Sequence, residues 1–349
     1  MAIRVGLLGL KYGAQVLLPA LKSNHRFDLV AVCARTPGQA ETVAQEHSIP
    51  RWYTDPRKLI ASRLDLVVIA TPPPSHAGYA AAALAAGKHV LVEVAYVGCA
   101  ADARMLRDLA REHRRVGAVV YPMRFVPTIR HVGDVLAQTG LGRMRHVQMD
   151  FFTSALAERP NEFPWMWAAE HGGGIAANFL FHAIDLVTRW FGPVAAVDAT
   201  LTTRAAAAPQ PGGAPPADDT GVLALHLESG LLATFSFSAV VAVIRTQLAL
   251  HGAKGSLLIH GFGDETELLT MGATTSRPLF PPTPYLEETR GETGLQGGLP
   301  VLLDRLASAI GGGRAPDLPT LDEALEIQRI LDAARRSARE KRQVLIAEV

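Results

Sequence analysis

The chain has 349 residues, 48% of them hydrophobic, more than one core usually serves, so two domains are expected. Its 34 basic and 33 acidic side chains leave a formal charge of +1, without the electrostatic footprint of nucleic-acid or anionic-membrane binding, and a small molecule is the expected partner. Cys33 and Cys99, the two cysteines, suggest neither a disulfide framework nor a Cys-rich zinc site.

The chain opens at once on the apolar run 3–8, lacking the charged and apolar regions of a signal peptide, and no apolar run is long enough to span a bilayer. A soluble cytoplasmic protein is the expectation. Strand-like runs at 3–8, 29–33, 66–70, 89–93 and 116–121 alternate with Ala/Leu/Arg/Glu stretches of helical character. That grammar predicts a doubly wound α/β domain, a parallel sheet covered by helices that binds ligand at the carboxyl ends of its strands.

The first strand runs into Gly6-Leu7-Leu8-Gly9-Leu10-Lys11-Tyr12-Gly13-Ala14. A dinucleotide-binding turn needs glycines there so that the backbone can approach the pyrophosphate. Gly9 is in place, Lys11 stands where a second glycine belongs, and Ala14 closes the pattern. Gly9, Lys11, Tyr12 and Gly13 are therefore candidate cofactor contacts; the alternative is a plain turn between strand and helix. The second strand ends in Val32-Cys33-Ala34-Arg35-Thr36, with no carboxylate for a ribose 2′-hydroxyl. Arg35 and Thr36 suit a 2′-phosphate instead, so NADP is favoured over NAD if either binds.

After Phe125-Val126-Pro127 a helical stretch leads to the run 146–152. Alternating runs follow at 221–228, 231–239, 245–251 and 256–260, separated by turns such as Glu228-Ser229-Gly230. These read as an antiparallel meander in an α+β second domain. The Ala/Pro/Gly tract 205–217 reads as a flexible surface loop, and a second Pro/Gly-rich stretch covers 277–300. Leucines and isoleucines at helical spacing from 302 to 310 and from 321 to 331 predict terminal helices that return to the first domain. The expected boundaries are 1–122, 123–300 and 301–349.

Asn178, His182 and Asp185 lie at i, i+4 and i+7, on one face if the segment is a regular helix. A histidine ordinarily titrates near neutrality, so His182 is the leading catalytic candidate, with a buried core histidine as the alternative and Asp185 read as structural. Scattered His25, His47, His113 and His131 show no ligand spacing, and no metal is expected.

Several segments together resemble the Gfo/Idh/MocA family, the glucose-fructose oxidoreductase and inositol dehydrogenase group. They include Val5 to Gly9 with Gly13-Ala14, Ala70-Thr71-Pro72-Pro73-Pro74-Ser75-His76, Ala86 to Glu93, Arg124-Phe125-Val126-Pro127, Gly172-Gly173-Gly174, His182-Ala183-Ile184-Asp185 and Ala217-Asp218-Asp219-Thr220. The resemblance implies an N-terminal Rossmann domain, a C-terminal domain with a large, mostly antiparallel open sheet, and an NAD(P)-dependent oxidoreductase acting on sugars or related compounds. It implies that Thr71, Pro72, His76 and Glu93 line the cofactor and that Tyr121 and Arg124 lie near the substrate. Trp165 and Trp167 are further candidates for the substrate wall. A homodimer or homotetramer built through the second domain is also implied.

The chain departs from the family at the chemistry. The family lysine follows a glutamate; here the segment reads Glu93-Val94-Ala95. A family aspartate one helical turn before the histidine is replaced by Asn178. Three functions fit: an oxidoreductase with His182, Tyr121 or Asn178 in the site; a non-redox cyclase, lyase or isomerase using His182, with the dinucleotide structural or absent; or a regulator that binds a dinucleotide or sugar without turnover.

Overall fold

The computed structural model describes residues 2–138, 140–158, 164–169, 172–205 and 217–349. Most of the 205–217 tract thus lies outside the described residues. The chain forms two compact units, one of residues 1–121 and 299–328, the other of residues 122–298 and 329–349. Among the described residues no helix is long and apolar enough to cross a membrane.

In the first unit, β1 (Ile3–Leu8), β2 (Phe27–Cys33), β3 (Arg51–Tyr53), β4 (Leu66–Ile69), β5 (His89–Val92) and β6 (Gly117–Val119) form one sheet in the order β3-β2-β1-β4-β5-β6. Every pairing is parallel. Helices cover such a sheet on both faces, so its central strands are apolar throughout rather than alternating; Leu66–Ile69 is buried at all four positions. The covering helices bury apolar residues at helical spacing: Ala80, Ala83 and Leu84 on His76–Ala85, and Ala100, Ala103, Leu106 and Ala110 on Ala100–Glu112. The strand order reverses between β1 and β4, the switch point at which doubly wound sheets bind ligand.

The helix Leu299–Ile310 belongs to this unit and is docked by polar contacts. The fully buried Asn24 donates to Asp304 at 2.9 Å, while Arg26 reaches the Asp304 carbonyl and the Ser308 hydroxyl. The chain end does not return to the first unit as a block. Residues 329–349 cluster with the second unit, because Val344 and Leu345 add an edge strand opposite Val197 and Ala196 and Ser337 accepts from the Ala199 N–H.

The second unit holds a nine-stranded sheet in the order β14-β13-β12-β11-β7-β10-β9-β8-β15. Its strands are β7 (Met144–Phe152), β8 (Val194–Thr202), β9 (Thr220–Leu227), β10 (Leu232–Ser238), β11 (Arg245–Gly252), β12 (Gly255–His260), β13 (Glu265–Thr270), β14 (Arg277–Pro278) and β15 (Val344–Leu345). All neighbours are antiparallel except β7 and β10. Burial alternates along β9, β10 and β12, as a sheet with one packed face requires. The packed face carries Leu223, Leu225, Phe235, Phe237, Val147, Met149 and Phe151. Phe179 stacks on Phe151 at 5.0 Å between centroids, which seats the segment containing His182 on this face.

Candidate functional site

In the first unit the expected cofactor residues gather at the carboxyl edge of the parallel sheet. Gly9 has φ +95°, and a Cβ there would run into the Ala70 carbonyl and Thr71 backbone, so only glycine lets the β1 turn rest on the β4 loop. Gly13 is buried against Leu7 and Ala70 and opens a five-residue π turn, Gly13–Leu17, that continues into the helix Leu18–Lys22. Lys11 is exposed and is not among the residues with positive φ, so its side chain imposes no left-handed strain on the turn. Tyr12 is also exposed, and Gln39 donates to the Leu10 carbonyl at 3.2 Å, tying the turn to the helix after β2. Arg35 and Thr36 are exposed at the end of β2.

Glu93 follows β5 with its backbone N–H on the Ile69 carbonyl at 2.9 Å. Its Oε2 is buried without a hydrogen-bond partner, and burial raises its pKa from 4.5 to about 8, against the Val94 N–H, which favours the charged form. Tyr12, though 40% exposed as a whole residue, lies close enough to feel it: loss of water around its hydroxyl, then the Glu93 charge, raise the phenol above its usual range. Val94 is half-buried and joined to Ala95 by a cis peptide bond. Sequence reasoning missed the Tyr12–Glu93 neighbourhood, since nothing local links a β1 turn to a β5 end.

His76 corrects an expectation. It is 0% exposed, so it does not line the cofactor surface. Its Nε2 lies 2.5 Å from the Thr71 carbonyl, and its Nδ1 lies 3.0 Å from Ala95 O and 3.1 Å from Tyr96 O. Burial lowers its pKa, and the three carbonyls oppose that shift. Thr71, half-buried, and Pro72, exposed, remain at the edge, with Thr71 Oγ1 and Ser75 Oγ 2.7 Å apart.

The second unit carries the other candidates. His182 opens the helix Phe181–Phe191 and is buried, with its ring centroid 6.0 Å from that of Phe262 and 3.9 Å from that of Phe181. Its Nδ1 has no partner, and burial lowers its pKa from 6.5 to about 3, so the ring is neutral at physiological pH. A neutral imidazole can still hydrogen-bond, but this one is a weak base. Asn178 lies in a π turn, Ala176–Leu180, rather than in a regular α-helix leading to His182. Asn178 instead spends its amide on the carbonyls of Gly172 at 3.0 Å and Gly174 at 2.8 Å, a structural use.

That glycine segment rests on a residue that sequence reasoning left without a role. Asp218 Oδ2 accepts the Ala176 N–H at 2.9 Å and its carbonyl accepts that of Ile175 at 3.0 Å; a Cβ on Gly174, φ +102°, would strike the Asp218 carboxylate. Asp219, fully buried, accepts the N–H groups of Arg204 and Ala205. The Asp-Asp-Thr triplet in the sequence was the available signal.

Arg124 is not an open substrate contact. It forms a two-pronged ion pair with Asp185, Nε to Oδ2 at 2.6 Å and Nη2 to Oδ1, with both side chains 2% exposed. Trp167 is 3% exposed and packs as core, whereas Trp165 is partly exposed. Tyr121, the last residue of its segment of the first unit, is buried rather than presented as an open proton donor.

Comparison with known proteins fits this architecture. Residues 3–121 match the family model "Oxidoreductase family, NAD-binding Rossmann fold", and residues 129–258 match the GFO/IDH/MocA C-terminal domain. The chain belongs to the Gfo/Idh/MocA family of oxidoreductases. It is 28% identical over 276 residues to an uncharacterized oxidoreductase of Synechocystis, covering 74% of each chain. It is 28% identical over 273 residues to trans-1,2-dihydrobenzene-1,2-diol dehydrogenase of Sus scrofa, covering 75% of this chain and 74% of the relative. Among solved structures, levoglucosan dehydrogenase in complex with NADH and levoglucosan superposes with a TM-score of 0.88 at 20% identity, covering 99% of this chain and all of that one. The WlbA dehydrogenase of Bordetella pertussis, with NADH and UDP-GlcNAcA, gives a TM-score of 0.84 at 23% identity, covering 99% and 97%. These likenesses establish the shared fold.

Proposed function

We propose that this member is an NADP-preferring oxidoreductase acting on a sugar-like or other small hydroxy or carbonyl compound, through a site without the family lysine. The observation that carries the cofactor reading is the edge where the Gly9 turn meets the β4 loop, with exposed Arg35 and Thr36 and no carboxylate in the sequence segment that ends β2. The residues fit a dinucleotide: Gly9 shapes the turn, unstrained Lys11 offers a cation to phosphate, and Arg35 offers a fork of donors to a 2′-phosphate. Such a dinucleotide supplies hydride chemistry when bound.

The relatives named for dehydrogenase activity, and the structures holding NADH with levoglucosan or a nucleotide sugar, support the substrate class. Burial raises the Glu93 pKa to about 8, so its carboxyl keeps its proton around neutral pH, while His182 is held as the neutral imidazole. The neutral, weakly basic His182 disfavours a lyase or isomerase built on it as general base. We also take the open face of the nine-stranded sheet, where cross-strand His146 and His251 stack 6.4 Å apart, as the self-association surface, giving a homodimer or homotetramer by light scattering.

Dinucleotide titration tests the cofactor reading. Wild-type protein should bind NADPH more tightly than NADH, and Arg35→Ala should erase a preference of roughly tenfold or more, the size of a lost charge-assisted hydrogen bond. Binding of neither dinucleotide overturns the redox reading, and binding without turnover on any polyol or sugar tested selects the regulator.

A further inference from the structure

The loops at the ligand edge of the first unit are joined side to side. Gly9 rests on Ala70 and Thr71, coupling the β1 turn to the β4 loop. Within the β4 loop, Ser75 Oγ donates to the Pro72 carbonyl at 2.8 Å and pairs with Thr71 Oγ1. The β5 loop is held at its start, where Glu93 N–H meets the Ile69 carbonyl. Beyond Glu93, the polar contact from the β4 side to Ala95 and Tyr96 is the His76 ring.

That ring has carbonyl oxygens on both sides, Thr71 on one and Ala95 with Tyr96 on the other. It is wholly buried, so no solvent or ligand competes for its nitrogens. Burial keeps the ring neutral, so its single N–H donates to one loop while the other nitrogen packs against the carbonyl of the other, and a phenyl ring of the same shape would donate to neither.

Strand position says what such a link controls. A doubly wound sheet binds the two halves of a dinucleotide on either side of its switch point, and the end of β2 serves the adenosine ribose. The β4 and β5 loops therefore serve the other half. We propose that His76 is a positioning residue that touches no ligand and sets the spacing of the β4 and β5 loops, and with it the subsite for the nicotinamide half of the dinucleotide. This rests on the dinucleotide reading above.

The test compares two probes on folded protein. 2′,5′-ADP reports the adenosine half alone, and NADPH reports both. In His76→Phe, 2′,5′-ADP should bind within about threefold of wild type, while NADPH should weaken by roughly tenfold, the scale of one lost hydrogen bond. Equal losses for both probes, or none for either, overturn the proposal. Should His76→Phe fail to fold, His76→Gln, which retains a donor on one side, should give the same selective loss in smaller measure. In wild type, a slowly exchanging His76 ring N–H should be visible by NMR and hold its shift on binding 2′,5′-ADP; a ring proton in fast exchange with water overturns a buried clamp. Wild-type protein that binds neither probe overturns the dinucleotide reading itself. That outcome differs from a His76→Phe protein with unchanged NADPH affinity, which overturns only the clamp.

Discussion

Glu93 and His182 occupy different units and different kinds of structure, one at the end of a buried parallel strand, the other on a helix laid over an antiparallel sheet. Burial treats them alike. Each is held neutral, the carboxyl with its pKa raised to about 8 and the imidazole with its pKa lowered to about 3. The chemical result differs, because a carboxyl moved up reaches the range useful for proton transfer near pH 7 and an imidazole moved down leaves it. A histidine is the usual choice for neutral-pH chemistry; here the environment gives that range to the glutamate.

The largest expected effect comes from the Arg124–Asp185 pair, where charge itself is buried. Arg124→Ala should strand the Asp185 carboxylate and cost about 3–5 kcal/mol in chemical denaturation, while replacing both partners with apolar residues of similar size should recover most of it. If the single variant costs under about 1 kcal/mol, the pair is not desolvated as the structure has it.

The pH dependence of stability then separates Glu93 from His182 by sign. Glu93 has its folded pKa raised, so the unfolded chain ionises first and wild type loses stability as pH rises from about 4.5 to about 8, then levels. Glu93→Gln should remove that loss and melt higher than wild type at pH 9, with the gap closing toward pH 4.5. His182 has its folded pKa lowered, so its contribution is intact above about 6.5 and is lost as pH falls toward about 3. His182→Gln should flatten the acid limb of melting temperature against pH and leave the alkaline limb alone. Two variants altering the same limb would break the comparison.

The smallest effect belongs to the Arg4–Asp65 pair, whose side chains are 34% and 36% exposed. Arg4 lowers the Asp65 pKa from 3.8 to about 2, so the pair contributes above about pH 3.8 and fades as pH falls toward 2. Solvent screening limits Asp65→Asn to about 0–1 kcal/mol by denaturant titration, well below Arg124→Ala.

Much of the fold was legible locally. The runs 3–8, 66–70 and 89–93 became central strands because a parallel strand buried on both faces must be apolar throughout. The alternation in 221–228 and 231–239 became β9 and β10 because one face is packed. Other strands were missed for equally local reasons. Val194–Thr202 carries alanines that suit helix or strand, and Glu265–Thr270 is short and polar. At the site, the sequence marked Gly9 and Arg35 as cofactor contacts, and the structure has Gly9 at positive φ against the β4 loop and Arg35 exposed after β2. Asn178, Arg124, Trp167 and His76 were credited with site roles, while the fold sets them against the glycine segment, in an ion pair, in the core and among buried carbonyls.

The sequence by itself determined the alternation of strands and helices in the first unit, the glycine that the first turn requires, and the family, since each depends on residues close together or on segments kept in order. The tertiary structure decided which polar groups are open and what charge they hold. Burial and hydrogen-bond partners come from distant segments: Thr71 and Ala95 around one imidazole, Asp185 around one guanidinium, Tyr12 beside one carboxyl. No stretch of sequence around those residues contains that information.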